Sequence, residues 1–492
     1  MQFRSSLTRL ALVVVCFAAV VESAPGAIDL GGKRELFVDD FLISSRTNVA
    51  LALHEPRDEA VAFKFDEPWE GRFCAYVTVI HDGKHFRAYY RGKEDGTRDG
   101  VGESTCVAES SDGRNWTKPR LGLIEMNGTK ENNVILAENG FSHNFSPFVD
   151  SNPACPADQR YKAVAGYQNT GLKSFCSPEG LQWRAMQNEP VLTTNDVPAY
   201  KNMFDSQNVA FWSATENRYV LFFRVFKERI RRVARAESKD FLHWTKIQLM
   251  EYRGADGSPA PVENLYTSQT HPYFRAPQIY VAVAARFMPG RQVLTDEEAK
   301  AIGVHPSYFH DVSDAVFMTS RGRDIYERVF MSAFIRPGIG AENWVSRTTY
   351  PALNVVQTGT NEMSIYANQN YAQPTAHLHR YSLRLDGFAS LHAPYEGGEV
   401  VTKPLIFSGK QLLLNFSTSA AGGIKIGISN EDGKMIPGYG FGDSVESIGN
   451  EIERPARWKQ GVDVSALAER PVRLHFKMKD ADLYAIQFVE KR

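Results

Sequence analysis

Apolar and polar residues alternate in short segments along most of this chain, the pattern of half-buried β-strands. His85–Arg91 (H-F-R-A-Y-Y-R), Tyr161–Tyr167 (Y-K-A-V-A-G-Y), Arg218–Arg224 (R-Y-V-L-F-F-R) and Ile279–Phe287 (I-Y-V-A-V-A-A-R-F) are clear cases. Asp82-Gly83 supplies a hairpin turn just before the first of them. Thr295–Ile302 (T-D-E-E-A-K-A-I) instead predicts a short helix, with a threonine cap and acids in the first turn. The chain reads as all-β.

The strands are punctuated by a recurring turn: a serine, an acid two positions on and an aromatic six positions on. Ser110, Asp112 and Trp116 form the first copy, Ser177, Glu179 and Trp183 the second, and Ser238, Asp240 and Trp244 the third. Ser320 with Tyr326, and Ser382 with Phe388, are degraded copies lacking the acid. The serines stand roughly 60–80 residues apart, a spacing that fits four-stranded propeller blades rather than short solenoid turns. Serine and acid side chains can bond backbone amides in a turn, so these residues read as blade staples and not as catalysts. They predict five blades. Glu35–Ile43 (E-L-F-V-D-D-F-L-I) is the expected strand closing the ring.

From Glu399 the strands are shorter and closer together, as in Q-L-L-L-N-F-S and V-R-L-H-F-K-M, which predicts a β-sandwich. The expected layout is a signal peptide over residues 1–24, a five-bladed β-propeller over 30–398 and a sandwich over 399–492. Arg4 and Arg9 precede an apolar run, Leu10–Val21, which is short for a membrane span and suits a secretory signal. The protein is therefore expected to be secreted or periplasmic, with no later membrane span. Cys74, Cys106, Cys155 and Cys176 remain after the signal, an even number that allows either disulfides or four buried thiols. A net charge of -1 gives no basic stripe for nucleic acid.

The signal, the five S-x-[DE]-x-x-x-aromatic turns and the closing β-rich segment together resemble glycoside hydrolase family 32. The propeller alone is similar to family 43. Leu36–Ile43 (L-F-V-D-D-F-L-I) also resembles the start of a group of exported bacterial proteins labelled glycosidase-like. The resemblance implies a carbohydrate substrate and hydrolysis of a glycosidic bond. Family 32 carries N-D-P, R-D-P and E-C motifs, and none is present here, so no catalytic residue is carried over.

Glycoside hydrolysis needs two carboxylates, a proton donor and a base or nucleophile. In a propeller the innermost strands converge on one mouth, so acids at their starts are the candidates. These are Glu70 in blade one, Asp150 in blade two (Asn144–Asp150), Asp205 in blade three (Phe204–Trp212) and Glu362 in blade five (Asn361–Tyr366). Asp205 is the expected base or nucleophile and Glu362 the expected acid, or the reverse. Trp69, His143, Asn144, Gln207, Asn208, His271, Tyr273 and Arg275 are the candidate substrate contacts, with Arg275 suited to an acidic substituent or to an ion pair with a catalytic acid. One of Asp39 and Asp40 can face the channel. His310, Asp311 and Asp314 are spaced as loose metal ligands, but no metal or cofactor is expected.

Two rival readings stand beside the hydrolase. One is a non-catalytic carbohydrate-binding or cell-surface propeller, since fold does not fix function. The other is a sialidase-like hydrolase, which requires a cluster of three arginines and a Tyr–Glu pair, and which five blades disfavour.

Overall fold

The computed structural model describes residues 26–94, 99–198 and 200–490. The segment read as a signal peptide lies outside these residues. Five sheets follow one another as blades. The innermost strands of the first four are Ala75–His81, Ser146–Val149, Val209–Ser213 and Thr270–Tyr273. Each pairs antiparallel with an aromatic second strand: Phe86–Gly92, Tyr161–Tyr167, Arg218–Lys227 and Ala276–Met288. The end at which the innermost strands begin is called the upper mouth here. Second strands run antiparallel and so return to it.

The repeated turns act as staples. Ser110 Oγ accepts from the backbone amides of Asp112 (3.2 Å) and Gly113 (2.9 Å), and Asp112 Oδ1 accepts from those of Arg114 and Asn115, both at 2.8 Å. Ser177 and Ser238 repeat the bond, to Gly180 at 2.8 Å and to Phe241 at 2.9 Å. Trp116 and Trp183 then donate from Nε1 to the carbonyls of Gly113 and Gly180. Side-chain satisfaction of buried turn amides is what lets these tight corners sit between blades. The expected helix is present as Asp296–Ala301, with Thr295 accepting from the amide of Glu298.

The ring closes differently from the sequence expectation. The outer strand of blade five is Arg57–Lys64, paired with His377–Arg384, and not Glu35–Ile43. The four strands before it, Ile28–Gly31, Arg34–Leu36, Ile43–Thr47 and Ala50–Leu53, pair with strands that follow residue 388. They join a ten-stranded sheet threaded by two long strands, Gln411–Asn430 and Val472–Val489. Both halves of these strands contribute to one core, with Leu412, Leu414, Ile426, Leu474 and Phe488 fully buried.

Blade five also differs. Its innermost strand is two fragments, Tyr350–Pro351 and Val356–Gln357, and Glu362–Gln369 is the second strand. The sheet and the ring meet at Asp386, which is fully buried. It accepts from Arg34 (3.1 Å), Tyr273 Oη (2.8 Å) and Asn415 (2.9 Å), and it pairs in charge with Arg275 at 2.9 Å. Near it, Arg321 pairs with Glu35 and with Asp39 (3.1 Å). All four described cysteines are free thiols.

Candidate active site at the upper mouth

The chain enters blade three through a strained corner. Phe204 has φ of +63°, a left-handed conformation that costs a bulky residue energy and needs outside support. Asn144 supplies it, donating to the carbonyls of Phe204 (2.8 Å) and Ser206 (2.6 Å) while its own carbonyl accepts from the amide of Gly166. Asn208 adds bonds to the same two carbonyls. The corner presents Asp205 outward, and its side chain is 43% exposed.

Asp205 stands between an arginine and a histidine. Arg224 Nη2 donates to Oδ2 at 2.7 Å, and His143 Nε2 lies 3.7 Å from Oδ1. The other ring nitrogen of His143 meets Glu103 at 2.8 Å. Burial opposes the charge on His143, but the two carboxylates outweigh it and raise its pKa above the usual 6.5. Burial likewise opposes ionisation of both acids. His143 and Arg224 nevertheless hold Asp205 well below the carboxylate range, and His143 and Arg91 bring Glu103 to about 2. At neutral pH the mouth thus carries two ionised carboxylates with an imidazole that retains its proton more readily than a free one.

A cleft of about 520 Å³ opens here, lined by Asp99, His143, Tyr167, Gln168, Asn169 and Asp205. Asp99 pairs with Lys93, and Lys93 also lies 3.3 Å from Glu103. Behind the cleft, Gln207, Gln269 and Thr78 close the channel. Gln269 donates to Gln207 at 2.6 Å and Gln207 donates to Thr78 at 2.7 Å.

Of the residues singled out in the sequence, Asp205 and His143 come together at this mouth, with Asn144 and Asn208 holding the corner beneath and Gln207 plugging the channel. The others lie elsewhere. Asp150 follows the end of its innermost strand, at the opposite mouth, where it binds Lys162 (2.5 Å) and Tyr219 (2.7 Å). Glu362 starts a second strand, so it also lies away from the upper mouth, tied to Arg114 (2.7 Å) and Arg380 (3.1 Å). Glu70 is buried in blade one between Tyr90 (2.5 Å) and Lys118 (2.6 Å), and neighbouring Trp69 donates to Asn133.

His271 is buried and bridges the carbonyl of Gln269 and the amide of Val355. Burial drops its pKa to about 4, which keeps it neutral. Tyr273 and Arg275 serve Asp386, as described. Asp40 pairs with Arg46 (3.2 Å) beside the C-terminal sheet. His310, Asp311 and Asp314 each have a separate partner: Gln292, the amide of Gly290, and Arg286. Among the described residues no three His, Cys, Asp or Glu side chains gather as metal ligands, and no helix is long and apolar enough to cross a membrane.

Sequence reasoning missed Glu103, Asp99, Arg91 and Arg224. A signal for the arginines was present. Arg91 and Arg224 occupy the same place, at the upper ends of the aromatic second strands of blades one and three, where those strands return to the mouth.

No family model matches the chain, and no curated protein matches it. Solved structures similar to it include a glycoside hydrolase, at 11% identity over 67% of this chain and 92% of that one, TM-score 0.45. An exo-β-1,3-galactanase from Phanerochaete chrysosporium is 9% identical over 90% of this chain and 100% of that one, TM-score 0.37. A fructofuranosidase from Schwanniomyces occidentalis is 11% identical, with the same coverage and TM-score. What defines this chain is a five-bladed β-propeller with an acid–imidazole–arginine site at one mouth.

Proposed function

We propose that the protein is an exported glycoside hydrolase-like enzyme that cleaves a poly- or oligosaccharide at the upper mouth. The observation that carries this reading is the His143–Asp205 pair at the base of an open polar cleft. Asp205 is ionised and half-exposed, as a base or nucleophile must be. His143, its pKa raised by Asp205 and Glu103, sets both ring nitrogens against these carboxylates and so orients Asp205 and keeps it ionised. Glu362, at the start of a second strand, lies away from this pair and is not its acid partner. Gln168 and Asn169 on the cleft wall have the amide chemistry to bond sugar hydroxyls. Arg4, Arg9 and the apolar run Leu10–Val21 support export.

The test is sugar release from a panel of neutral, uronic and sulfated glycans by wild type, Asp205→Asn and His143→Gln. Release that both substitutions abolish in folded protein supports the reading. Release that neither substitution affects moves the chemistry elsewhere. Binding of a glycan without release, in wild type, replaces the hydrolase with a carbohydrate-binding propeller.

A further inference from the structure

The mouth holds more positive charge than its own carboxylates neutralise. Arg91 is shared with Glu103 at 3.9 Å, and Arg224 is bound to Asp205. Arg231 and Arg347 pair with no carboxylate among the described residues; aromatic rings surround them instead, Phe226, Phe287 and Tyr266 around Arg231 and three tyrosines around Arg347. The guanidinium of Arg347 lies 4.7 Å from the ring centre of Tyr308, 5.1 Å from that of Tyr266 and 5.6 Å from that of Tyr371. Its Nη2 donates to Tyr266 Oη at 3.0 Å. Arg224 packs on the same tyrosine ring at 4.7 Å, so one buried phenol joins the two guanidiniums.

Two features of this cluster bear on what it could hold. Arg224 is only 3% exposed, yet its Nε and Nη1 find no hydrogen-bond acceptor among the described residues. Buried donors without acceptors are costly, so a site that leaves them open is suited to an anion supplied from outside. Arg347 is half-buried and faces three tyrosine rings with no carboxylate among the described residues. Tyr266 reports the same field. Burial alone would raise its pKa, but Arg347 and Arg224 pull it down to about 8.

We propose that this arginine–tyrosine cluster, centred on Arg224 and Arg347, is a carboxylate subsite, and that the sugar bound at the mouth is a uronic acid. A planar guanidinium fork matches a planar carboxylate in two-point contact, and the flanking rings suit the flat acid group. Asp205, bound to Arg224 and open to the cleft, sets the distance between the acid group and the site of chemistry. The inference rests on the proposed function for its location, but its test is separate.

The full-length chain is titrated calorimetrically with glucuronate and galacturonate, and with the methyl esters of the same two sugars, which keep the shape and lose the charge. The expected result is binding of at least one acid at least tenfold tighter than its ester, weakening as salt is raised. Arg347→Met is expected to remove that preference, and Arg347→Lys to restore only part of it, because a point charge lacks the fork. Equal binding of acid and ester, or no binding of either, overturns the proposal without recourse to any variant. A folded Arg347→Met protein that keeps the preference also overturns it, as does tighter binding of glucose 6-sulfate than of either uronate. Turnover of neutral glycans with no acid preference would sink this inference and leave the hydrolase standing. Acid preference with no turnover of any glycan would do the reverse.

Discussion

His143 Nε2 and Asp205 Oδ1 face each other at 3.7 Å across the floor of the upper mouth, one on the approach to blade two and the other on the approach to blade three. Neither blade alone builds the pair. Glu103 on the far side of the imidazole and Arg224 on the far side of the carboxylate complete an alternating row of charges.

That row makes Asp205→Asn and His143→Gln the decisive substitutions for activity. Each is expected to lower kcat by about 10²–10⁴-fold, the usual contribution of a positioned acid or base. Glu362→Gln and Asp150→Asn are expected to change kcat little. Steady-state kinetics on whichever glycan is cleaved checks this. Equal losses from all four would mean that the mouth is not special.

The row also sets a pH dependence. His143 has a folded pKa raised above the unfolded value of 6.5. Its contribution to stability is complete below about 6.5 and is lost as pH rises through the folded value. Glu103 and Asp205 have depressed values, so their contributions are present above the ordinary carboxylate range and are lost as pH falls, for Glu103 towards about 2. Wild-type Tm is therefore expected to fall on both sides of a plateau, and His143→Gln to flatten the alkaline side. Calorimetric Tm against pH gives the answer.

Asp386 binds the ring to the C-terminal sheet. Asp386→Ala leaves Arg34 and Arg275 buried without their shared carboxylate and is expected to cost about 3–5 kcal/mol. Denaturant unfolding checks it. A change under about 1 kcal/mol would show that Glu453, bound to both arginines, suffices.

Thiol labelling offers an independent check on the interior. Cys74, Cys106 and Cys176 are buried, and burial pushes the Cys74 thiol up to about 12. Cys155 is half-exposed beside Lys162. Ellman's reagent should therefore label Cys155 first in the folded protein and the other three only on unfolding. Rapid labelling of all four would contradict the packing.

The blades were legible because their staples are local. A serine and an acid satisfying amides within five residues leave their mark in a short window of sequence. The closing strand left no such mark. Arg57–Lys64 is an edge strand with most of its side chains in solvent, so it shows no apolar alternation, and what favours Glu35–Ile43 is its place just after the signal. Glu362 was misplaced for a related reason. The true innermost strand of blade five is split into two-residue fragments around Asn354, whose φ is +78°, and neither is long enough to show a period. Asp205 was readable as an acid ahead of Ser206, Gln207 and Asn208. That Gln207 and Asn208 turn inward depends on neighbouring blades, which no local pattern records.

The Arg57–Lys64 closure also orders the protein's birth. Every described strand up to residue 64 finds its partner beyond residue 376. As the chain emerges, blades one to four can assemble in sequence while the first strands wait unpaired. Such long-range pairing is slow and exposes sticky edges in the meantime. A truncation before the last blade would thus cost more than that blade. It would strand the opening segment and leave the ring unclosed, making such fragments natural clients for chaperones and proteases.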